Sequence, residues 1–166
     1  ISLIDISRAY FNARVESTNP TFVALPEEHP GAAKGKCGRL LRHMYGTQAA
    51  ASGWQSEYSN SLIKLGFRQG VSCPCVFWHP ARRIATSVHG DDFTSVAAKP
   101  DLDWFESEME KLYELSKGGR LGPGAGDAKE GRCLNRIIRW TGSGVEYEAD
   151  PRQRERLVAD LEMDDG

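Results

Sequence analysis

Two runs of β-branched and aromatic residues, Ile84 to Val88 and Phe93 to Val96, are separated only by His89-Gly90-Asp91-Asp92. Gly and Asp at so short a join read as a tight hairpin turn. The two runs are then antiparallel neighbours, with two carboxylates at the tip between them. Leu3 to Ile6 and Thr21 to Leu25 are further strand patterns, the second bounded by Pro20 and Pro26, and Val76 to Trp78 is another. Helical spacing appears twice. Trp54, Tyr58, Leu62 and Leu65 mark one amphipathic helix from Ala49, closed by Gly66, and Leu102, Phe105, Met109, Leu112 and Tyr113 mark a second behind an Asp101 cap.

The rest of the chain reads as connections and one more hairpin. Glu27 to Gly38 has no apolar periodicity and is expected to be a loop leading into Leu40-Leu41, and glycine-rich Gly118 to Gly131 is expected to be a flexible loop. Leu134 to Trp140 and Val145 to Ala149 flank Thr141-Gly142-Ser143-Gly144 as a hairpin, after which Pro151 opens a charged terminal helix. The order β-β-α-β-β-β-α-β-β-α predicts an α+β fold, a mostly antiparallel sheet with helices packed on one face. No internal repeat interrupts it.

A length of 166 residues suits one domain, and 40% hydrophobic with 27% charged residues excludes wholesale disorder and collagen-like repeats. No apolar run approaches the roughly 18 residues of a membrane span, so no membrane partner is expected. A net charge of −2 argues against a generically basic nucleic-acid coat, and any polyanion must meet a local basic patch. The four cysteines, Cys37, Cys73, Cys75 and Cys133, are too few for a disulfide scaffold and are expected to be buried free thiols in a reducing compartment. Cys73-Pro74-Cys75 lacks the second pair that a zinc site needs. Without an initiator Met or a signal-peptide pattern, the chain is expected to be a fragment of a longer polypeptide, and its compartment is unassigned.

Asp5 ends an apolar strand and Asp91-Asp92 tips a hairpin. Each alone has a plain structural explanation, a solvated strand end or a favourable turn. Together, two adjacent strands delivering carboxylates to one sheet end could hold a pair of Mg²⁺ ions about 3.5–4 Å apart, an arrangement suited to phosphoryl transfer.

Asp5-Ile6-Ser7-Arg8-Ala9-Tyr10-Phe11 resembles the first palm motif of reverse transcriptases, and Val88-His89-Gly90-Asp91-Asp92-Phe93 resembles their paired-Asp motif. Between them, Leu40 to Gly46, Trp54, Leu65-Gly66-Phe67 and Pro74-Cys75-Val76-Phe77 are similar to the corresponding stretch of copia-type retrotransposon polymerases, in the same order. The similarity runs from Ile1 to about Ala149. It implies that residues 1–149 form a palm region, with 150–166 a terminal helix leading out of it.

The resemblance further implies an RNA-directed DNA polymerase that adds dNTPs to a primer 3′-hydroxyl on an RNA template, using two Mg²⁺ or Mn²⁺ ions. Asp5 and Asp91 would ligate both ions, with Asp92 as the neighbouring carboxylate and the Ile6 carbonyl as a further ligand. Tyr10 matches the aromatic that excludes a ribose 2′-hydroxyl, and Tyr45-Gly46 would border the nascent base pair. Lys36, Arg39, Arg42, His89 and Gly90 are expected on template or primer, Leu134 and Asn135 in the primer-holding hairpin, and Lys117 as a candidate general acid to the pyrophosphate.

His89 stands where the family has Tyr, Gly90 where it often has Val, Ala49-Ala50-Ala51 where it has Gln-Ala-Pro, and Asn135 where a Gly is expected. These departures spare the metal ligands and bear on template grip. The fingers, thumb and ribonuclease H parts of such a polyprotein are expected partners outside this chain, so the isolated fragment is expected to have metal ligands but incomplete nucleotide and duplex binding. A non-catalytic nucleic-acid-binding remnant and an inert remnant stay open as alternatives. Lys34 to His43 equally suits a solvated loop. Arg132, Arg136 and Arg139 could face duplex phosphates, and Trp54 and Trp104 read as core anchors.

Overall fold

The structure, a computed structural model, describes residues 1–161; the last residues of the expected terminal segment, 162–166, lie outside the described residues. The elements in chain order are β1 (Ser2–Ile6), α1 (Ala9–Asn12), β2 (Phe22–Ala24), β3 (Cys37–Arg39), α2 (Ala50–Lys64), β4 (Arg68–Gln69), β5 (Val76–His79), β6 (Ile84–His89), β7 (Asp92–Val96), α3 (Lys99–Leu112), β8 (Leu115–Arg120), β9 (Glu130–Cys133), β10 (Arg136–Thr141), β11 (Gly144–Tyr147) and α4 (Pro151–Asp160). The fold is mixed α+β.

Its centre is a six-stranded sheet in the order β4-β5-β6-β7-β1-β8, with every neighbouring pair antiparallel. Successive side chains of a strand point to opposite faces. Ile4, Ile6, Phe77, Ile84, Val88 and Phe93 therefore gather on one face, where they pack against Trp54, Tyr58 and Leu62 of α2 and Phe105 and Met109 of α3. This is the expected arrangement, helices on one face. Beside it, β9, β10 and β11 form a separate three-stranded sheet that contributes Ile138 to a second small core with Leu3 and Leu121. The ribbon of β2 and β3 stands alone.

Several connections turn out to be elements. Gly118 to Gly131 is not one loop, because β8 runs to Arg120 and β9 begins at Glu130. β8 reads Leu-Ser-Lys-Gly-Gly-Arg and has no apolar alternation, since its helix-side cations meet carboxylates of α3 rather than a greasy wall. The loop expected from Glu27 to Gly38 holds a short 3₁₀ turn at Ala32–Lys34 and the start of β3. α3 begins at Lys99 rather than behind Asp101. Pro100 sits in the first turn, where its missing N–H leaves no helix bond unmade, and Asp101 there pairs with Arg82 at 3.1 Å. The cysteines are free as expected but not buried: Cys37 and Cys73 are exposed, Cys75 and Cys133 half-buried.

Candidate functional site

Cross-strand partners share a sheet face, so the register builds rows. His89 pairs with Asp92, Asp92 with Asp5, and Asp5 with Ser116. These four residues form one row across β6, β7, β1 and β8. Ile4 and Ile6 belong to the helix-side core, so Asp5 and its row project from the other face. Asp91 lies at the hairpin tip, and its carbonyl accepts the Ile6 N–H at 2.9 Å, which binds the tip to the end of β1. The carboxylates of both sequence motifs thus arrive at one end of one sheet.

Their electrostatics agree with that placement. Burial raises the Asp5 pKa above the usual aspartate value, and the charges of Asp91 and then Asp92 raise it further. Asp92 is also raised, by burial and by Asp91, while His89 opposes. Among the described residues none of the three carboxylates forms an ion pair with Lys or Arg. Nor do three or more His, Cys, Asp or Glu side chains among those residues form a group that could by itself hold a metal ion. Asp5, Asp91 and Asp92 therefore repel one another at this sheet end.

The hairpin tip is held from the helix side as well. Gly90 has φ +63° at the first position of the two-residue loop, where a tight hairpin takes glycine. The Trp54 indole N–H donates to the Gly90 carbonyl at 2.7 Å, so this tryptophan is both a core anchor of α2 and a tether for the tip. Sequence spacing signalled only the anchor. The indole N–H needing a partner when buried is the signal that could have found the tether.

Three aromatic side chains gather beside the carboxylates. The Tyr10 and Tyr45 rings lie 4.4 Å apart between centroids, and Phe11 approaches Tyr45 edge-on at 5.9 Å. The Tyr45 phenol is raised by burial and by the charge of Asp91, with Tyr10 and Asp5 adding to it and a backbone hydrogen bond at Ala9 opposing. Tyr10, Tyr45 and the carboxylates are therefore one neighbourhood. Gly46 beside it has φ +85°, and nothing lies within 4 Å of where its Cβ would be.

On the helix-free face, Asp5 and Asp92 border a cavity of about 100 Å³ whose other wall includes Ser116, Arg132 and Cys133. Of the three arginines expected to face a duplex, Arg132 alone lines it; Arg139 is neutralised by Glu130 and Glu148, each at 2.8 Å, and Arg136 lies over the Tyr147 ring. Leu134 and Asn135 form the turn between β9 and β10, immediately after this wall.

Other expected residues are not gathered there. Lys117 pairs with Ile4 and so projects from the helix face, where it meets Glu110 at 2.6 Å and Glu106 at 3.4 Å. Its cross-sheet orientation and its carboxylate partners separate it from Asp5. Lys36 and Arg39 are exposed on the β2 and β3 ribbon, and Arg42, also exposed, donates to the Asn12 carbonyl. Arg42 lines a larger polar cleft of about 620 Å³ with Arg14, His43 and Glu57, and none of the three carboxylates borders that cleft. It is the more spacious cavity but has no paired carboxylates, so the helix-free face is the better candidate for chemistry. Sequence reading assigned His89 to template or primer; the register also makes it the direct neighbour of Asp92, a relation that a two-residue loop dictates.

No family model matches this chain, and neither the curated proteins nor the solved structures yield a match.

Proposed function

We propose that this chain is the palm region of a copia-type reverse transcriptase, carrying the carboxylates for two-metal addition of dNTPs to a primer 3′-hydroxyl on an RNA template. The carrying observation is the register of Asp5 opposite Asp92, with the Asp91 carbonyl bonded to the Ile6 N–H. It brings together two motifs that lie far apart in the sequence and that resemble the metal-binding motifs of those polymerases.

In this reading Asp5, Asp91 and Asp92 would share divalent cations with substrate phosphates, since they form no complete protein site alone. Three mutually repelling carboxylates without a Lys or Arg partner are stabilised by a dication, and Mg²⁺ is ordinarily held by one or two carboxylates plus substrate phosphates rather than by a closed protein cage. When bound, such ions supply Lewis-acid activation of the 3′-hydroxyl and charge neutralisation at the phosphates. Asp5 and Asp91 would hold them and Asp92 would add charge, while the Trp54 bond to Gly90 keeps the tip in position. Tyr10, braced by Tyr45, forms a wall of the nucleotide pocket and excludes a ribose 2′-hydroxyl. Arg132, which lines the cavity beside Asp5 and Asp92, would meet a duplex phosphate in this reading. The general-acid role for Lys117 is not part of the proposal, because Glu106 and Glu110 engage it on the opposite face.

The test is primer extension on an RNA template with Mg²⁺ or Mn²⁺, using the chain joined to the fingers and thumb of a copia-type polymerase. Asp91→Asn is expected to reduce extension by at least about 10³-fold, in keeping with several kcal/mol of transition-state stabilisation by the ions. Equal extension by the unsubstituted and Asp91→Asn proteins overturns the proposal.

A further inference from the structure

Away from the carboxylates, the turn entering β5 carries two thiols side by side. The Val76 N–H donates to the Cys73 carbonyl at 3.0 Å, closing a β-turn with Pro74 at its second position, where the ring's fixed φ is preferred. The turn brings the Cys73 and Cys75 sulfurs to 3.3 Å. Its backbone is pinned on every side. Gly70 N–H donates to the Val76 carbonyl at 2.8 Å, Gln69 Nε2 to the Pro74 carbonyl at 2.7 Å, and Val88 N–H to the Cys75 carbonyl at 2.9 Å.

We propose that Cys73 and Cys75 form a thiol–disulfide exchange site for small, soluble disulfides. An S–S bond is about 2.05 Å long, so closure moves the sulfurs together by only about 1 Å. Cys73 is exposed and is the entry point; Cys75 is half-buried behind it and is the resolving thiol. The Cys73 thiolate attacks one sulfur of a disulfide RSSR, forming a mixed disulfide and expelling RS⁻. The Cys75 thiolate then attacks the Cys73 sulfur and expels the second RS⁻. Two protein thiols thus lose two protons and two electrons, and the small disulfide is reduced to two thiols. A ring closed across a single residue is strained and exposed, so excess thiol reopens it.

Cys37, exposed and with no second sulfur in contact among the described residues, serves as an internal control. The experiment treats the folded chain with oxidised glutathione, quenches in acid, and weighs the tryptic peptide spanning residues 69–82, which contains both thiols. That peptide is expected to lose two hydrogens and carry no glutathione, while the Cys37 peptide gains one adduct. Cys75→Ser is expected to trap a single glutathione on Cys73, and dithiothreitol to restore the free thiols. Glutathione on both Cys73 and Cys75 of one peptide, or an unmodified pair beside a modified Cys37, overturns the proposal. Equal internal closure in urea does so too, since the fold would then contribute nothing to the pairing.

Discussion

Leu134 and Asn135 both lie in the left-handed region, at φ 50° and 62°, as the two-residue loop between Cys133 and Arg136 demands. Asn tolerates that conformation, but a leucine there carries roughly 1–2 kcal/mol of steric cost. Its side chain is 45% exposed, so packing returns little of this. Leu134→Gly is expected to stabilise the chain by about 1 kcal/mol, a rise of roughly 2–4 °C in Tm measured by calorimetry. If the turn holds a primer, the same substitution weakens duplex binding while it stabilises the fold. An unchanged or lower Tm would mean that the leucine's contacts outweigh its strain. At this scale the sequence was informative about which residues carry charge and poor on what surrounds them. Asp5, Asp91 and Asp92 stand out as candidates in the sequence because their motifs are local. The engagement of Lys117 by Glu106 and Glu110 depends on which face of β8 it occupies, and that strand shows no alternation to read.

At the scale of elements, α2 contains a glycine in its interior that a helix alone would not choose. Gly→Ala ordinarily gains up to about 1 kcal/mol in a helix. At Gly53, however, a Cβ would lie 2.2 Å from His43 Nε2 and 2.3 Å from Cδ2. His43 is 5% exposed, so a Cβ this close forces its ring or the helix backbone to shift. Gly53→Ala is therefore expected to destabilise by about 1–3 kcal/mol, the usual range for overpacking. In a His43→Ala background the same change is expected to be stabilising, and urea denaturation of the four proteins gives the coupling directly. Additive effects would refute the steric account. The helices and the central hairpin were legible because apolar spacing and a Gly-Asp turn are local signals. β4, β8 and β9 were not, being polar or two residues long and held as strands only by their neighbours.

Across the whole molecule, two ionic groupings flank β1 on opposite faces and respond to pH with opposite sign. Behind the sheet, burial would raise the Glu106 pKa, but hydrogen bonds from Arg120 and Ser2 outweigh it and hold it below the usual glutamate value. Its stabilisation is complete above the unfolded value and is lost as pH falls through the depressed folded one. On the helix-free face, Asp5 and Asp92 are raised, so the folded chain holds their protons longer than the unfolded chain does. Stability from that face is fullest below the ordinary aspartate value, declines as pH rises through the raised values, and stays reduced at neutral pH. In chelator at neutral pH, Asp5→Asn is thus expected to be more stable than the unsubstituted chain, with the difference vanishing in acid. A dication that binds the folded carboxylates reverses this order, because stabilisation grows with ligand concentration over Kd only where a site exists. Thermal melts in chelator and in millimolar Mn²⁺, at acid and neutral pH, are expected to show a metal-dependent rise for the unsubstituted chain at neutral pH and none for Asp5→Asn. An equal rise in both proteins would place the ion elsewhere, and the row of His89, Asp92, Asp5 and Ser116 would then be only a polar sheet end.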